Sequence, residues 1–108
     1  MTTHTARETT RPATRQPAGQ VAIVHESRSF SHSDACRIFD LAVKCLHATT
    51  IVIDLKRACD ATTSAFAKLV LLRRALLRTG RDLRLVGLHD RTAHLYGINR
   101  LAGVLPCA

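Results

Sequence analysis

The stretch from Thr50 to Arg84 constrains the fold most strongly, because it contains two strand patterns with a helical pattern between them. Ile51–Ile53 is a short β-branched run, which is typical of a strand buried on both faces of a parallel sheet. Leu83–Gly87 predicts a second strand that ends at a glycine. Two strands joined by about fifteen helical residues predict a βαβ unit, with parallel strands and a right-handed crossover.

Patterns before this unit predict further elements. Gln20–Glu26 predicts a strand, and Ser27–Phe30 predicts a loop or a short strand. Ser31 followed by Asp34 has the spacing of a capping box, and it predicts an amphipathic helix that continues to His47. The apolar side of this helix consists of Ala35, Ile38, Phe39, Ala42, Val43 and Leu46.

After the second strand of the unit, Asp90 is expected to cap a short helix over Arg91–Ile98, with Leu95 and Ile98 directed inward. Residues 101–105 predict a final short helix or edge segment. Strands and helices therefore alternate along the chain. This order predicts a single small α/β domain, with an open, mostly parallel sheet of about four strands covered by three to four helices.

The amino-terminal segment differs in composition from the rest. Residues 1–19 are rich in Thr, Pro and Arg and poor in apolar residues, so they are predicted to form a disordered basic arm before a folded domain over residues 20–108. No apolar run approaches the ~20 residues that a membrane-spanning helix needs. The chain is therefore expected to be a cytoplasmic protein that does not span a membrane.

The residues that could bind metals or catalyse reactions form no recognisable motif. The cysteines (Cys36, Cys45, Cys59 and Cys107) have no CxxC spacing, which favours reduced and mostly buried thiols, and the histidines lack ligand spacing. No glycine-rich phosphate loop and no GxSxG sequence occurs. Asp54 and Asp60 could form a carboxylate pair, but Asp54 lies in a predicted strand core with no general base nearby, so a structural role is favoured. No catalysis, metal, cofactor or small-molecule substrate is predicted.

The helix between the two strands of the unit is strongly basic. The chain has a net charge of +8, and residues 68–84 contain six Lys and Arg against one Asp. The side expected to pack on the sheet consists of Ala65, Phe66, Leu69, Val70, Leu72, Leu76 and Leu77. On the other side Ala67, Leu71 and Ala75 are surrounded by Lys68, Arg74 and Arg78, which predicts either a docking surface for an acidic partner or a solvated helix face. Aromatic residues are scarce, which argues against base stacking and leaves nonspecific nucleic-acid binding as a weaker alternative.

Three hydroxyl residues, Thr62, Thr63 and Ser64, stand in succession where this helix should begin. One hydroxyl is enough for an N-cap. A phosphate on another would place negative charge at the positive end of the helix dipole, where the folded state tolerates it. The cluster therefore indicates either ordinary capping or a phosphorylation site.

The sequence from Ile51 to Pro106 resembles a STAS domain, the family of anti-sigma factor antagonists and of the cytoplasmic domains of sulfate transporters. The resemblance lies in the strand IVIDL, the strand LRLVG, and the closing segment Gly97–Leu101. The D-S-S-G motif of the family aligns with Thr62-Thr63-Ser64-Ala65, so both its Asp and its Gly are replaced. The resemblance implies phosphorylation at Ser64, with Thr63 beside it. A register that uses Asp60 as the acid makes Thr62 the acceptor.

The resemblance also implies a function. An anti-sigma factor or a related serine kinase is the expected partner, bound by the Thr62–Ala65 loop and the following helix and released on phosphorylation. The residues expected to contact it are Asp60, Thr62, Thr63, Ser64, Ala65, Ala67, Lys68, Leu71 and Arg74. The alternative is a cytosolic STAS subunit of a lipid-transport ABC system that contacts the ATPase of that system.

Overall fold

The computed structural model describes Thr10–Pro12 and residues 19–108. The elements, in chain order, are β1 (Thr10–Pro12), β2 (Gln20–His25), β3 (Ser29–Phe30), α1 (His32–Lys44), β4 (Thr50–Asp54), β5 (Asp60–Ala61), α2 (Thr63–Leu77), β6 (Asp82–Val86), α3 (Asp90–Ile98) and a 3-10 helix (Leu101–Gly103). The alternation of strands and helices confirms the predicted α/β class.

The main sheet has four strands in the order β1-β2-β4-β6. Its strands β2, β4 and β6 are parallel, and the register pairs Ile51 with Leu83 and Ile53 with Leu85. The predicted βαβ unit is therefore present as β4, α2 and β6. A mostly parallel sheet of about four strands is also what the sequence predicts.

The amino-terminal segment differs in one part from the disordered arm expected over residues 1–19. Thr10–Pro12 form β1, which pairs antiparallel with β2 at the edge of the main sheet. Because an edge strand is held by backbone hydrogen bonds, this segment pairs without the apolar side chains that a buried strand needs. Gly19 is also described, and its carbonyl oxygen accepts from the amides of Thr49 and Thr50. Residues 1–9 and 13–18 of the expected arm lie outside the described residues.

The hydrophobic core lies between one face of the main sheet and the helices α1 and α2. The strands contribute alternate residues, namely Ile23, Ile51, Ile53, Leu83 and Leu85, since neighbouring side chains of a strand point to opposite faces. The helices contribute Ala35, Ile38, Ala42, Ala65, Phe66, Leu69, Leu72 and Leu76. On the opposite face, Ala22, Val52 and Arg84 are aligned across three strands. Ile51, Val52 and Ile53 are all buried, as the β-branched run predicted.

Helix α1 begins as predicted but ends earlier. Ser31 is the N-cap and forms the capping box with Asp34. The helix ends at Lys44 and not at His47, and Leu46, expected on the apolar side, is 74% exposed. Arg81 explains the early end, because its Nη1 donates to the carbonyl oxygens of residues 42 and 45 and so satisfies the last turn.

The start of α3 and the side chain of Ile98 also differ from the prediction. His89, and not Asp90, is at the N-cap, and Asp90 lies inside the helix with a φ of 51°. Ile98 is 61% exposed because α3 ends there and the chain reverses at Arg100, which has a left-handed backbone conformation. The inward orientation expected for Ile98 was therefore wrong.

A second sheet brings the starts of two helices together. Its two strands, β3 and β5, are parallel and pair Ser29 with Asp60 and Phe30 with Ala61. β3 leads directly into α1, and β5 leads directly into α2. The amino-terminal ends of both helices therefore lie side by side, near the carboxyl ends of the parallel strands, which is where α/β proteins tend to place functional residues.

Candidate partner-binding site at the start of helix α2

The polar segment between β5 and α2 lies at the protein surface. Thr62 is the N-cap of α2, Thr63 is the first helical residue and Ser64 the second. All three side chains are exposed, so the predicted phosphorylation candidates are accessible to another macromolecule. Ala65, which was also expected to contact a partner, is fully buried in the core.

The three hydroxyls have different roles. Thr62 Oγ1 accepts a hydrogen bond of 3.1 Å from the amide of Ala65, which is the usual N-cap interaction. Ser64 Oγ lies 3.3 Å from Thr62 Oγ1, an exposed and rather long contact. Thr63 lines a groove beside α2. Capping therefore uses the hydroxyl of Thr62 and does not require those of Thr63 and Ser64.

Two backbone amides at the start of α2 are free to bind an acceptor. The amides of Thr63 and Ser64 precede the first possible helical hydrogen bond, and no acceptor for them exists in the described part of the chain. The first turn of α2 contains no acidic residue. Together with the helix dipole, these amides favour negative charge at this position.

The surroundings of Ser64 are polar and come from several elements. His32, the first residue of α1, places Nδ1 3.5 Å from the carbonyl oxygen of Ser64. Asp60 is exposed at the start of β5, and its Oδ1 accepts from Arg91 Nε at 3.3 Å. The polar corner, defined here as Thr62, Thr63 and Ser64 with the side chains around them, is therefore formed by residues from α1, β5, α2 and α3.

Part of the basic stretch over residues 68–84 is used inside the domain. Lys68 Nζ lies 4.5 Å above the ring of Phe39 on α1. Arg73 Nε donates to Asp82 Oδ1 at 2.8 Å. This hydrogen bond raises the pKa of Arg73 and lowers that of Asp82. Arg73 therefore links α2 to β6, although it lies among the apolar residues of α2 in the sequence.

Arg74 and Arg78 are the cations that remain on the outer side of α2. Both are exposed, and neither guanidinium group forms an ion pair or a hydrogen bond with another residue of 19–108. Leu71, between them and Lys68 on the predicted docking surface, is 51% exposed, and Ala67 is also exposed. The outer side of α2 thus combines apolar area with unpaired positive charge.

Two adjoining grooves follow α2 where it meets the carboxyl-terminal segment. The first has a volume of about 240 Å³ and is lined by Thr63, Phe66, Ala67, Val70, Asn99 and Leu101. The second has a volume of about 180 Å³ and is lined by Val70, Arg73, Arg74, Leu77 and Val104. Val70 lines both grooves, so the two adjoin at this residue.

The sequence did not reveal these grooves. Val70 and Leu77 were expected to pack on the sheet, but Val70 is only partly buried and Leu77 is 49% exposed. Because α2 is apolar around most of its circumference, periodicity does not separate the buried side from a surface groove. The groove residues Asn99, Leu101 and Val104 come from a segment that meets α2 only in the tertiary structure.

The architecture is that of a STAS domain, as the sequence resemblance implied. No protein-family model and no curated protein matches the sequence. Among solved structures, the anti-sigma factor antagonist SpoIIAA in its unphosphorylated form has a TM-score of 0.73 at 14% identity, over 92% of this chain and 87% of that one. The Thermotoga maritima protein TM1081 has a TM-score of 0.70 at 11% identity, over 100% of this chain and 86% of that one.

The same fold occurs inside a larger protein. The murine anion transporter Slc26a9 matches 74% of this chain with a TM-score of 0.61 at 14% identity, over 14% of the transporter chain. At such low identities, the likenesses establish the fold of this chain. In the described residues, none of the helices is long and apolar enough to cross a membrane.

Proposed function

We propose that this protein is a STAS-domain regulator of the anti-sigma factor antagonist type, which acts in the cytoplasm by binding a protein partner and does no catalysis. The partner is an anti-sigma factor or a related serine kinase, and it binds the Thr62–Ser64 corner and the outer side of α2. Phosphorylation of Ser64 releases it. The main support is the exposed hydroxyl of Ser64 beside two free amides in a STAS fold.

The geometry favours Ser64 over Thr62 as the acceptor. A phosphate on Thr62 removes the N-cap interaction with Ala65, and an N-cap is worth about 1 kcal/mol. Ser64 Oγ makes only the exposed 3.3 Å contact, so a phosphate there costs little. The free amides and the helix dipole favour the added charge, which is why the fold should tolerate the modification.

Release by phosphorylation follows from the charges on α2. The unpaired groups Arg74 and Arg78 attract an acidic surface of a partner, and Leu71 provides apolar contact beside them. A phosphate on Ser64 brings about −1.5 to −2 charges to the same helix. It therefore repels the acidic groups that the arginines attract.

One of the similar structures is relevant to this switch. SpoIIAA has been solved in an unphosphorylated and in a phosphorylated form. A fold that exists in both forms supports the proposal that this chain tolerates a phosphate. The replacement of the family Asp by Thr62 leaves Asp60 as the nearest acid in the sequence, two residues earlier.

Phosphate mapping tests the proposal. The full chain is incubated with ATP and an anti-sigma factor serine kinase from the same source, and the phosphorylated residue is located by mass spectrometry. We expect one phosphate, on Ser64. Ser64→Ala should abolish the modification, whereas Ser33→Ala should not, although Ser33 is the exposed second residue of the neighbouring helix α1.

Binding measurements complete the test. Ser64→Asp should weaken kinase binding at least about tenfold, or about 1.4 kcal/mol, while Ser64→Ala binds normally. Phosphate on Ser33 or on no residue, with equal binding of the two Ser64 variants, would contradict the switch. Co-purification with a transporter ATPase in place of the kinase would support the lipid-transport alternative.

A further inference from the structure

A cysteine, a histidine and an aspartate meet where two loops follow the parallel strands β4 and β6. One donor atom from each of Cys59, His89 and Asp90 lies within 4.8 Å of the others. Cys59 belongs to the loop after β4, and His89 and Asp90 belong to the loop after β6 and the start of α3. Because β4 and β6 are neighbours in the sheet, the two loops are adjacent, although thirty residues separate Cys59 from His89.

The histidine is held as a metal-binding histidine usually is. Its Nε2 forms a hydrogen bond with the backbone carbonyl oxygen of Lys56. Its Nδ1 lies 2.9 Å from Asp90 Oδ2. A histidine that donates one ring N–H to a carbonyl oxygen has its other nitrogen fixed in orientation, and this is the common arrangement around protein-bound metals. In this structure the fixed nitrogen, Nδ1, forms an ion pair with the carboxylate of Asp90, and a bound metal would replace the proton between them.

The backbone that carries the three residues is firmly held. Thr92 Oγ1 donates to the carbonyl oxygen of Ala58 at 2.9 Å, and both residues are completely buried. Gly87 packs so closely on the next loop that a Cβ atom there would lie 2.9 Å from Lys56 Cα. These contacts fix the loop after β4 against the loop after β6. Coordination distances of about 2.0–2.3 Å would then be reached by movement of the Cys59 and Asp90 side chains toward the fixed nitrogen of His89.

Neighbouring cations do not neutralise the cluster. Three basic residues lie close in the sequence, and each is paired with a carboxylate outside the cluster: Lys56 with Asp54 at 3.8 Å, Arg57 with Glu26 at 3.8 Å, and Arg91 with Asp60 at 3.3 Å. Within residues 19–108, the carboxylate of Asp90 therefore pairs with His89 of the cluster and with no lysine or arginine, and Cys59 Sγ makes a long contact of 3.9 Å with the carbonyl oxygen of Arg57.

We propose that Cys59, His89 and Asp90 form a zinc-binding site. Thiolate, imidazole and carboxylate together are a donor set that suits Zn²⁺, whereas Mg²⁺ and Ca²⁺ prefer oxygen ligands alone. Asp90 is exposed and the other two residues are partly exposed, so a fourth position faces the solvent and takes water or a ligand from a partner. Bound zinc would tie the loop that leads into β5 and Thr62 to the start of α3.

The spacing of these residues along the chain does not indicate a metal site. Ligand motifs are recognised by short spacings within one segment, and these three ligands come from two segments. The proposal does not depend on the proposed function, since its test needs neither kinase nor partner.

Titration of the full, reduced chain with Co²⁺ and Zn²⁺ tests the site. We expect one Co²⁺ per chain, with the near-ultraviolet absorption band of a thiolate–cobalt bond, and displacement of Co²⁺ by Zn²⁺. Cys59→Ser should abolish the band. Asp90→Asn should keep it but weaken zinc binding at least about tenfold, the cost of disturbing a metal site.

Cys36→Ser is the matched control, because Cys36 Sγ also lies near a histidine nitrogen, 3.4 Å from His32 Nε2. This variant should bind metal like the unchanged chain. Circular dichroism checks that every variant is folded. A band that survives in Cys59→Ser, a band that is lost in Cys36→Ser, or no saturable binding by the folded chain would overturn the proposal.

Discussion

Replacing Ser64 by Asp tests whether the start of α2 accepts negative charge without harm to the fold. Ser64 is exposed, it is the second residue of α2, and the first turn holds no acid. An acid at such a position stabilises a helix by about 0.3–1 kcal/mol. Ser and Asp have similar helix propensities, and the lost contact with Thr62 Oγ1 is exposed and 3.3 Å long.

Lys68 should change the stability of the Ser64→Asp variant only slightly. It is four residues after Ser64, where an ion pair with an acid is worth about 0.2–0.5 kcal/mol. Its ammonium group already lies 4.5 Å above the Phe39 ring, a contact of similar worth, so the ion pair forms partly at the expense of that contact. We therefore expect Ser64→Asp to raise the free energy of unfolding by about 0.5 kcal/mol, or about 2–4 °C in Tm.

Urea unfolding at low and high salt measures this effect, and the gain should shrink at high salt because helix-dipole interactions are screened. Ser33→Asp is the matched control, since Ser33 is the second residue of α1 but stands beside Asp34 in the capping box. Ser33→Asp should raise the free energy of unfolding by less than Ser64→Asp does, or not at all. A loss of more than about 1 kcal/mol in Ser64→Asp, with Ser64→Ala unaffected, would refute the reasoning, because charge at this corner would then be incompatible with the fold.

Three further changes probe the contacts that hold the site. Thr62→Ala should cost about 1 kcal/mol in urea unfolding through loss of the N-cap, and Thr62→Asp should restore it; equal stability of all three chains would remove Thr62 from the cap. Asp82→Asn should cost about 0.5–1 kcal/mol at neutral pH, a modest value because the ion pair with Arg73 is partly exposed. This ion pair lowers the pKa of Asp82, so its contribution to stability is present above the ordinary Asp pKa and is lost as the pH falls below about 4. The difference in stability between the two chains should therefore vanish in acid. A difference that persists there would contradict the ion pair as its cause. Gly87→Ala should cost about 1–3 kcal/mol, because Gly87 has a φ of 79° and an added Cβ would collide with the loop after β4. Gly97→Ala is the control, since Gly97 faces open space on α3, and it should leave stability unchanged or raise it. The opposite order of the two variants in thermal melts would disprove the close packing at Gly87.

The sequence was sufficient for features that depend on neighbouring residues. The β-branched run of β4, the capping box at Ser31 and the hydroxyls at the start of α2 all act within one turn or one strand. Periodicity and capping depend on residues close in the sequence, so they can be recognised without knowledge of the rest of the structure. The order of these elements then predicted the parallel sheet, because few topologies connect strands and helices in alternation.

Local patterns failed where a residue finds its partner in a distant segment. No local pattern indicated that Arg81 would contact the end of α1 at Lys44, because Arg81 lies in a different segment of the chain. It also placed Leu77 in the core, because a helix that is apolar on most sides has no unique buried face.

By itself, the sequence determined the three helices, the parallel strands β2, β4 and β6, their order and the hydroxyl cluster at the start of α2, since each follows from spacing along the chain. It did not predict the short strands β1 and β5. Only the tertiary structure decided that Cys59 would meet His89 and Asp90, and that α2 would be flanked by a groove. The physical reason is the pairing of β4 with β6, which sets two loops side by side that are thirty residues apart in the chain.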